Sequence, residues 1–160
     1  MLFAFCPLAQ MDKHHKIPIS VLVVIYTPDL RVLLLERADH PGYWQSVTGS
    51  QESGETLAQT ALREVREETG IDASEYVLTD WEVSNLYEIY PEWRHRYAPG
   101  VTANTEHVFG LMVAGRETIL LSPREHLRYA WVPYQDAAQQ VFSPSNAEAI
   151  RNLDRFTPKL

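Results

Sequence analysis

Three glutamates lie close together in a segment with helical periodicity. Glu64, Glu67 and Glu68 are spaced at i, i+3 and i+4, so on a helix their carboxylates share one face. Like charges at this spacing repel by roughly 0.2–0.5 kcal/mol per exposed pair, and a bound cation removes that cost. Mg²⁺ suits such a site because it binds one or two carboxylates together with substrate phosphates. A glutamate triplet is also common on solvated helix faces, so the triplet alone leaves both interpretations open.

A longer pattern surrounds the triplet. It reads G-x5-E-x7-R-E-U-x-E-E-x-G-U, with U apolar, and it runs from Gly49 to Ile71 without a substitution. This is the signature of the Nudix hydrolases, and the chain resembles that family. The resemblance implies an α/β/α sandwich with a mixed β-sheet, in which the pattern forms a loop, a helix and a loop. It also implies hydrolysis of a diphosphate linked to another moiety, with Mg²⁺, or alternatively Mn²⁺, bound by Glu64, Glu67, Glu68 and the backbone carbonyl of Gly49.

The chemistry of diphosphate cleavage agrees with this resemblance. A water must attack phosphorus in line while charge on the bridging and leaving oxygens is neutralised, and metal ions do this well. A carboxylate must also accept the proton of the water, and both Glu64 and Glu125 are candidates for that catalytic role. Arg63 lies four residues before Glu67, within reach to orient a carboxylate. An acid in the preceding loop is an alternative partner for Arg63.

Outside the pattern, residues 16–155 resemble one branch of the family, the bacterial dihydroneopterin triphosphate diphosphatases. The likeness is carried by segments 16–26, 43–50 and 95–102. Such enzymes remove pyrophosphate from dihydroneopterin triphosphate in folate synthesis and also accept nucleoside triphosphates, dATP among them. The resemblance implies that Glu125 is a further metal ligand. It assigns substrate contacts to Lys16, Arg37, Thr48, Tyr87, Glu88, Ile89, Tyr90 and Ser143.

Several alternatives stay open at this point. A nucleotide-pool hydrolase acting mainly on dATP or another nucleoside triphosphate would carry the same pattern. A Nudix-fold ligand sensor without catalysis would be expected to lack a carboxylate of the pattern, and none is missing. Arg96 could bind phosphate or form a structural ion pair, and Ser143 could simply cap the last helix. Four aromatic residues could flank a planar ring or pack in the core: Trp44, Tyr87, Tyr90 and Trp93.

The elements that position these residues follow from periodicity and turn chemistry. The apolar, β-branched run 19–26 predicts a central strand, and the turn 27–30 followed by 31–37 predicts a hairpin. The strongest helix spans 56–69, with a capping box at Thr56 and Gln59 and a left-handed cap at Gly70. Its buried stripe is expected to comprise Leu57, Ala58, Ala61, Leu62 and Val65, opposite the three carboxylates. Further strands are expected around 76–90, 105–113, 118–121 and 127–132, and a final helix over 145–156 begins with a capping box at Ser145 and Glu148.

Length and composition limit the remaining possibilities. The chain has 160 residues, 45% hydrophobic and 22% charged, as expected for one globular domain over 16–160 with a disordered extension at 1–15. The net charge of −7 argues against a nucleic-acid partner, and the single cysteine, Cys6, gives no sign of an oxidising compartment. No run is long enough to span a bilayer. We therefore expect a cytoplasmic enzyme whose partner is a small-molecule triphosphate, with no membrane and no obligatory protein partner.

Overall fold

The computed structural model describes residues 14–157. The centre of this part of the chain is a mixed β-sheet. Within these residues the strands are β1 (Ile19–Tyr26), β2 (Arg31–Arg37), β3 (Trp44–Gln45), β4 (Val47–Ser50), β5 (Leu78–Glu88), β6 (Ala103–Met112) and β7 (His126–Pro133). The helices are α1 (Leu57–Thr69), α2 (Tyr134–Gln140), α3 (Pro144–Arg151) and α4 (Leu153–Phe156). Short 3-10 turns cover Ala73–Glu75 and Pro91–Arg96.

Strand β1 lies at the centre of the sheet, as its apolar sequence predicts. It pairs antiparallel with β2, which confirms the hairpin, and antiparallel with β4. Its other edge pairs in parallel with β6 from Ile19 to Tyr26, and β6 in turn pairs antiparallel with the edge strand β5. Seven of its eight residues are buried, because helices cover both faces of the sheet.

Helix α1 covers one face. Ala61 and Val65 are fully buried against Val21, Val23 and Phe109 of the sheet. The predicted capping box is present, since the Thr56 hydroxyl accepts from the backbone of Gln59 and the Gln59 side chain accepts from the backbone of Thr56. Gly70 closes the helix with φ of 75°. The prediction was wrong for Ala58, which is exposed because it lies at the edge of the stripe.

The other face is covered by α2, α3 and α4. Small side chains at Ala137, Ala138 and Ala147 let these short helices approach Leu22 and Val24 of β1 closely. Ile150 and Leu153 fill the space between the helices and the sheet. Two helical layers therefore enclose the sheet, and the predicted α/β/α sandwich is confirmed.

Two element predictions need correction, and one helix was not predicted. Residues 118–121 form no strand: Ile119 is buried in the core beside α1, and the amide of Leu120 donates to the carbonyl of Thr69. The final helix expected over 145–156 is two helices: α3 begins at Pro144 with Ser143 as its cap and ends at Arg151, and α4 follows from Leu153 to Phe156. Ser145 is not the cap because its hydroxyl donates to Glu106. Helix α2 was not predicted, since seven residues are too few to show a helical period.

The predicted extension at 1–15 falls almost entirely outside the described residues, which begin at His14. His14 and His15 are both exposed. None of the helices within residues 14–157 is long and apolar enough to span a membrane.

Candidate functional site

A large cleft of about 1600 Å³ opens beside the start of strand β1 and the loop before α1. It is bounded by residues from every layer of the fold. All the residues predicted from the sequence to form the site line this one cleft: Lys16, Arg37, Thr48, Gly49, Arg63, Glu64, Glu67, Glu68, Tyr87, Glu88, Ile89, Tyr90, Glu125 and Ser143.

The three carboxylates of α1 differ in depth. The side chain of Glu67 is 54% exposed and that of Glu64 is 12% exposed, whereas Glu68 is buried. The expectation that all three lie opposite the apolar stripe was therefore wrong for Glu68. This residue follows Val65 by three positions, so it lies on the side of the helix that faces the sheet. The three carboxylates therefore extend from the exposed Glu67, through Glu64, to the buried Glu68.

Glu68 forms a compact cluster with Glu125 and His126. Their potential ligand atoms all lie within 4.8 Å of one another. Oε2 of Glu68 and Nδ1 of His126 are buried and have no hydrogen-bond partner within the described part of the chain. Burial lowers the pKa of His126 to about 4, so its imidazole is neutral near pH 7 and offers a lone pair. His126 was missed from the sequence.

The electrostatics of the cluster favour a cation. Burial raises the pKa of Glu64 to about 7, partly against the attraction of Arg63, and the charges of Glu67 and Glu125 add to the rise. Burial also raises the pKa of Glu68 well above its usual range, with Glu64 and Glu125 adding to the effect. Buried acids that repel one another, together with unpartnered donor atoms, fit a divalent metal ion. Oxygen donors predominate, which suits a hard cation.

Arg63 ties the loop before α1 to the carboxylates. Its guanidinium donates to both oxygens of Glu55, at 2.6 and 3.1 Å, and to the carbonyl of Ser50 at 3.0 Å. It also donates to Glu64 at 2.8 Å and to Glu67 at 3.3 Å. Both partners considered from the sequence are therefore present. The bond from Arg63 lowers the pKa of Glu55 to about 2, so this anchor stays ionised.

Gly49 lies against the carboxylate of Glu64. A Cβ at this position would overlap the carboxyl group of Glu64. The absence of a side chain thus lets β4 approach α1 closely enough to bring the Gly49 backbone beside the carboxylates.

Cations line the cleft beside the carboxylates. Arg37 donates to both oxygens of Asp39 at 2.8 and 2.7 Å, and its guanidinium carbon lies 4.7 Å from the ring centre of Trp93. Arg96 also contacts Asp39, at 3.3 Å, so the ion pair considered from the sequence is present. Desolvation lowers the pKa of Lys16, with repulsion from Arg96 as the next cause. An anion in the cleft would relieve this repulsion.

Other predicted contacts already have structural partners. The Thr48 hydroxyl donates to the carbonyl of Val21, and Ser143 caps α3 through the amide of Asn146. Glu88 pairs with Arg94 at 2.6 Å, and Ile89 is buried. Among the four aromatic residues, Tyr87, Tyr90 and Trp93 line the cleft, whereas Trp44 packs on the core beside α2 and α3.

Comparison with known proteins agrees with this geometry. A family model described as NUDIX domain matches residues 16–153. The chain belongs to the NUDIX family. The dihydroneopterin triphosphate diphosphatase of Escherichia coli (strain K12) is 49% identical over 145 residues, which cover 89% of this chain and 95% of that protein. The protein of the same name from Haemophilus influenzae is 47% identical over 135 residues, covering 82% of this chain and 84% of that one.

A solved NUDIX structure shows the same architecture. The E. coli dihydroneopterin triphosphate pyrophosphohydrolase superposes with a TM-score of 0.83 at 46% identity, covering 89% of this chain and 99% of that one. The resemblance seen in the sequence is therefore confirmed, both for the fold and for the NUDIX hydrolase family.

One further group in the NUDIX cleft was not identified from the sequence. Glu106 of β6 is 5% exposed, and the Ser145 hydroxyl donates to it at 2.8 Å. Burial raises its pKa, and burial together with the charge of Glu106 raises the pKa of Tyr87 to about 12. The sequence could have indicated Glu106, because it lies two residues before Val108 in a predicted strand. Residues two apart in a strand share a face, so an acid there faces the core.

Proposed function

We propose that this protein hydrolyses dihydroneopterin triphosphate to dihydroneopterin monophosphate and pyrophosphate, with Mg²⁺ as the metal. The choice of substrate is supported by the 49% identity to the E. coli diphosphatase over 95% of that enzyme's length. The cluster of buried acids in a single cleft supports the chemistry, because pyrophosphate release needs a site that binds metal ions and phosphates together.

The proposed metal ligands are five groups around α1: the carbonyl of Gly49 and the carboxylates of Glu64, Glu67, Glu68 and Glu125. Their support is the shared cleft and the unpartnered Oε2 of Glu68. When bound, a divalent cation neutralises charge on the phosphate oxygens and lowers the pKa of a bound water. The predominance of oxygen donors favours Mg²⁺, while the nearby imidazole of His126 would suit Mn²⁺ as an alternative.

A carboxylate of this chain accepts the proton of the attacking water. Glu64 and Glu125 are the two candidates, because both line the cleft beside Glu68. Arg63 positions Glu64 through its 2.8 Å bond and is anchored by Glu55. Glu64→Gln and Glu125→Gln separate the candidates: replacing the base should remove the acidic limb of the pH profile of kcat, whereas replacing a ligand alone should leave the limb and raise the Mg²⁺ requirement.

The cations of the cleft bind the substrate. Lys16 and Arg37 supply donors to the triphosphate. The support for this role is that Arg96 and Arg37 repel the Lys16 ammonium, so an anion between them is favoured. Thr48 and Ser143 border the same cleft. The remaining proposed contacts lie along the end of β5 and the turn that follows it: Tyr87, Glu88, Ile89 and Tyr90.

The test is a side-by-side measurement of kcat/KM for dihydroneopterin triphosphate and dATP with Mg²⁺. Both substrates present the same triphosphate, so a difference reports contacts to the heterocycle and its side chain. One buried polar contact that only the pterin satisfies is worth about 1–3 kcal/mol, so we expect a preference of roughly 5- to 150-fold for the pterin. A preference for dATP would leave the chemistry in place and make the protein a nucleotide-pool hydrolase.

A further inference from the structure

A tryptophan of the cleft lies against two of its arginines. The guanidinium carbons of Arg37 and Arg96 are 4.7 and 5.9 Å from the ring centre of Trp93. A guanidinium within about 6 Å of an indole ring centre is attracted to the electron-rich face of the ring. All three residues line the cleft that holds the proposed metal ligands. Trp93 is therefore in direct contact with the cationic groups of the site.

Hydrogen bonds fix the Arg37 guanidinium only within its own plane. Nε and Nη2 donate to the two oxygens of Asp39 at 2.8 and 2.7 Å, and Nη1 donates to Gln45 at 2.9 Å. A guanidinium has five N–H donors, so two are left, one on each terminal nitrogen, without a partner among residues 14–157. The ring of Trp93 covers one face of this plane. It therefore restricts the guanidinium in the direction that the hydrogen bonds leave open.

Aromatic neighbours hold the Trp93 ring in place. The edge of Tyr90 meets it with ring centres 5.2 Å apart and an angle of 86° between the planes. Phe142 makes a similar contact at 6.4 Å and 80°, and Phe142 is itself stacked on Tyr43 at 4.6 Å. Edge-to-face pairs at such distances are favourable. The ring thus belongs to a packed aromatic cluster and offers Arg37 a fixed surface.

One short turn connects the cations of the cleft. The 3-10 turn Pro91–Arg96 contains both Trp93 and Arg96. The carbonyl of Arg96 accepts from the backbone amide of Lys16 at 2.9 Å. The turn therefore holds Arg96 directly, Lys16 through the backbone and Arg37 through the Trp93 ring. Such contacts are needed because the two arginines repel the Lys16 ammonium.

We propose that Trp93 is a positioning residue for phosphate binding: its ring holds the Arg37 guanidinium so that the two unused N–H groups face the triphosphate. This inference rests on the proposed function for the class of ligand, a triphosphate, and is independent of the heterocycle. A guanidinium stays charged with or without the ring, so the ring contributes orientation and not charge. Its loss should weaken binding more than it slows the chemical step.

The first test removes the ring. In Trp93→Leu we expect KM for dihydroneopterin triphosphate to rise roughly 3- to 30-fold, with kcat within about threefold of the wild type. Trp93→Phe keeps a smaller aromatic face, so its KM should lie between those of the wild type and Trp93→Leu. The control is Tyr129→Leu, which removes a half-exposed aromatic ring outside the cleft and should leave both constants unchanged.

The second test measures binding of a ligand without a heterocycle. The probe is the imido analogue of inorganic triphosphate, in which N–H replaces both bridging oxygens so that it resists hydrolysis. Isothermal titration calorimetry with Mg²⁺ should show its Kd raised in Trp93→Leu by a factor similar to that of KM. A raised KM with an unchanged Kd for the analogue would overturn the proposal, because Trp93 would then contact the heterocycle.

The third test asks whether Trp93 acts through Arg37. In an Arg37→Gln background the guanidinium is gone, so Trp93→Leu should cause no further loss of affinity for the analogue. Full additivity of the two losses, with unfolding midpoints unchanged, would overturn the proposal. If Trp93→Leu lowers the unfolding midpoint, the same comparison is made with Trp93→Phe.

The analogue also separates this proposal from the proposed function. A wild type that binds the analogue but fails to hydrolyse dihydroneopterin triphosphate would overturn the proposed function alone, and the binding data would still test Trp93. A wild type that does not bind the analogue would overturn the role of Trp93, since Arg37 would then have no phosphate to meet.

Discussion

Removing divalent cations from this protein should make its folding stability fall as the pH rises from about 5 to about 8. Burial raises the pKa of Glu64 to about 7, whereas a glutamate in an unfolded chain titrates near about 4.3. Between these values the folded protein holds a proton that the unfolded chain has released, so the free energy of unfolding decreases with pH. For Glu64 alone the decrease amounts to about 3 kcal/mol. Glu68, whose pKa is also raised, adds to it in the same direction. His126, whose pKa burial lowers from 6.5 to about 4, acts in the opposite direction below pH 6.5, so the fall that Glu64 causes is clearest between pH 6.5 and its own pKa of about 7 and above.

The assay is urea unfolding followed by circular dichroism at several pH values, with EDTA or with Mg²⁺. Glu64→Gln replaces the titrating acid by a neutral group of equal size, so in EDTA this variant should keep much of the stability that the wild type loses. For a domain of this length, about 3 kcal/mol corresponds to roughly 6–12 °C in Tm. Mg²⁺ should restore the wild type at pH 8 more than the variant. Identical pH profiles for the wild type and Glu64→Gln in EDTA would refute the reasoning, and Glu75→Gln controls for loss of one exposed acid.

Three further predictions concern the geometry of the site. Glu67→Gln should lower kcat by roughly 10² without changing the unfolding midpoint, because its side chain is 54% exposed; near-normal turnover at saturating Mg²⁺ would contradict its role as a ligand. Gly49→Ala should lower kcat by an order of magnitude or more, because the added Cβ overlaps the Glu64 carboxylate. The matched control is Gly115→Ala, where a Cβ meets nothing within 4 Å, and equal kinetics of the two variants would be the adverse result. Arg63→Lys should lower both kcat and Tm, since an ammonium cannot reproduce the paired hydrogen bonds to Glu55. An unchanged Tm would show that those bonds do not stabilise the loop before α1.

The part of the site on α1 was predictable because helical spacing is local. Glu64, Glu67 and Glu68 occupy fixed positions relative to the stripe formed by Ala61 and Val65. The same spacing could have predicted the burial of Glu68, because it follows Val65 by three positions. The close approach of Gly49 to the Glu64 carboxylate could not be predicted, since it depends on how β4 packs against α1.

Groups brought together by strand pairing were harder to find. His126 reaches the site because β7 pairs with β2, where Arg37 and His126 are register partners. A single histidine beside an acid carries no spacing signal in the sequence. The prediction of a strand at 118–121 was wrong for a related reason. Ile119 is apolar because it packs beside α1, and hydrophobic periodicity cannot distinguish such packing from a short strand.

The central claim is metal-dependent release of pyrophosphate from a triphosphate by the carboxylates of this cleft. Phosphorus NMR of the products formed from dihydroneopterin triphosphate tests it most directly, with Mg²⁺, with EDTA, and with Glu68→Gln in place of the wild type. We predict dihydroneopterin monophosphate and pyrophosphate in equal amounts, no products in EDTA, and a rate lower by roughly 10² or more for Glu68→Gln. Release of single phosphates, or undiminished turnover in EDTA, would contradict the account.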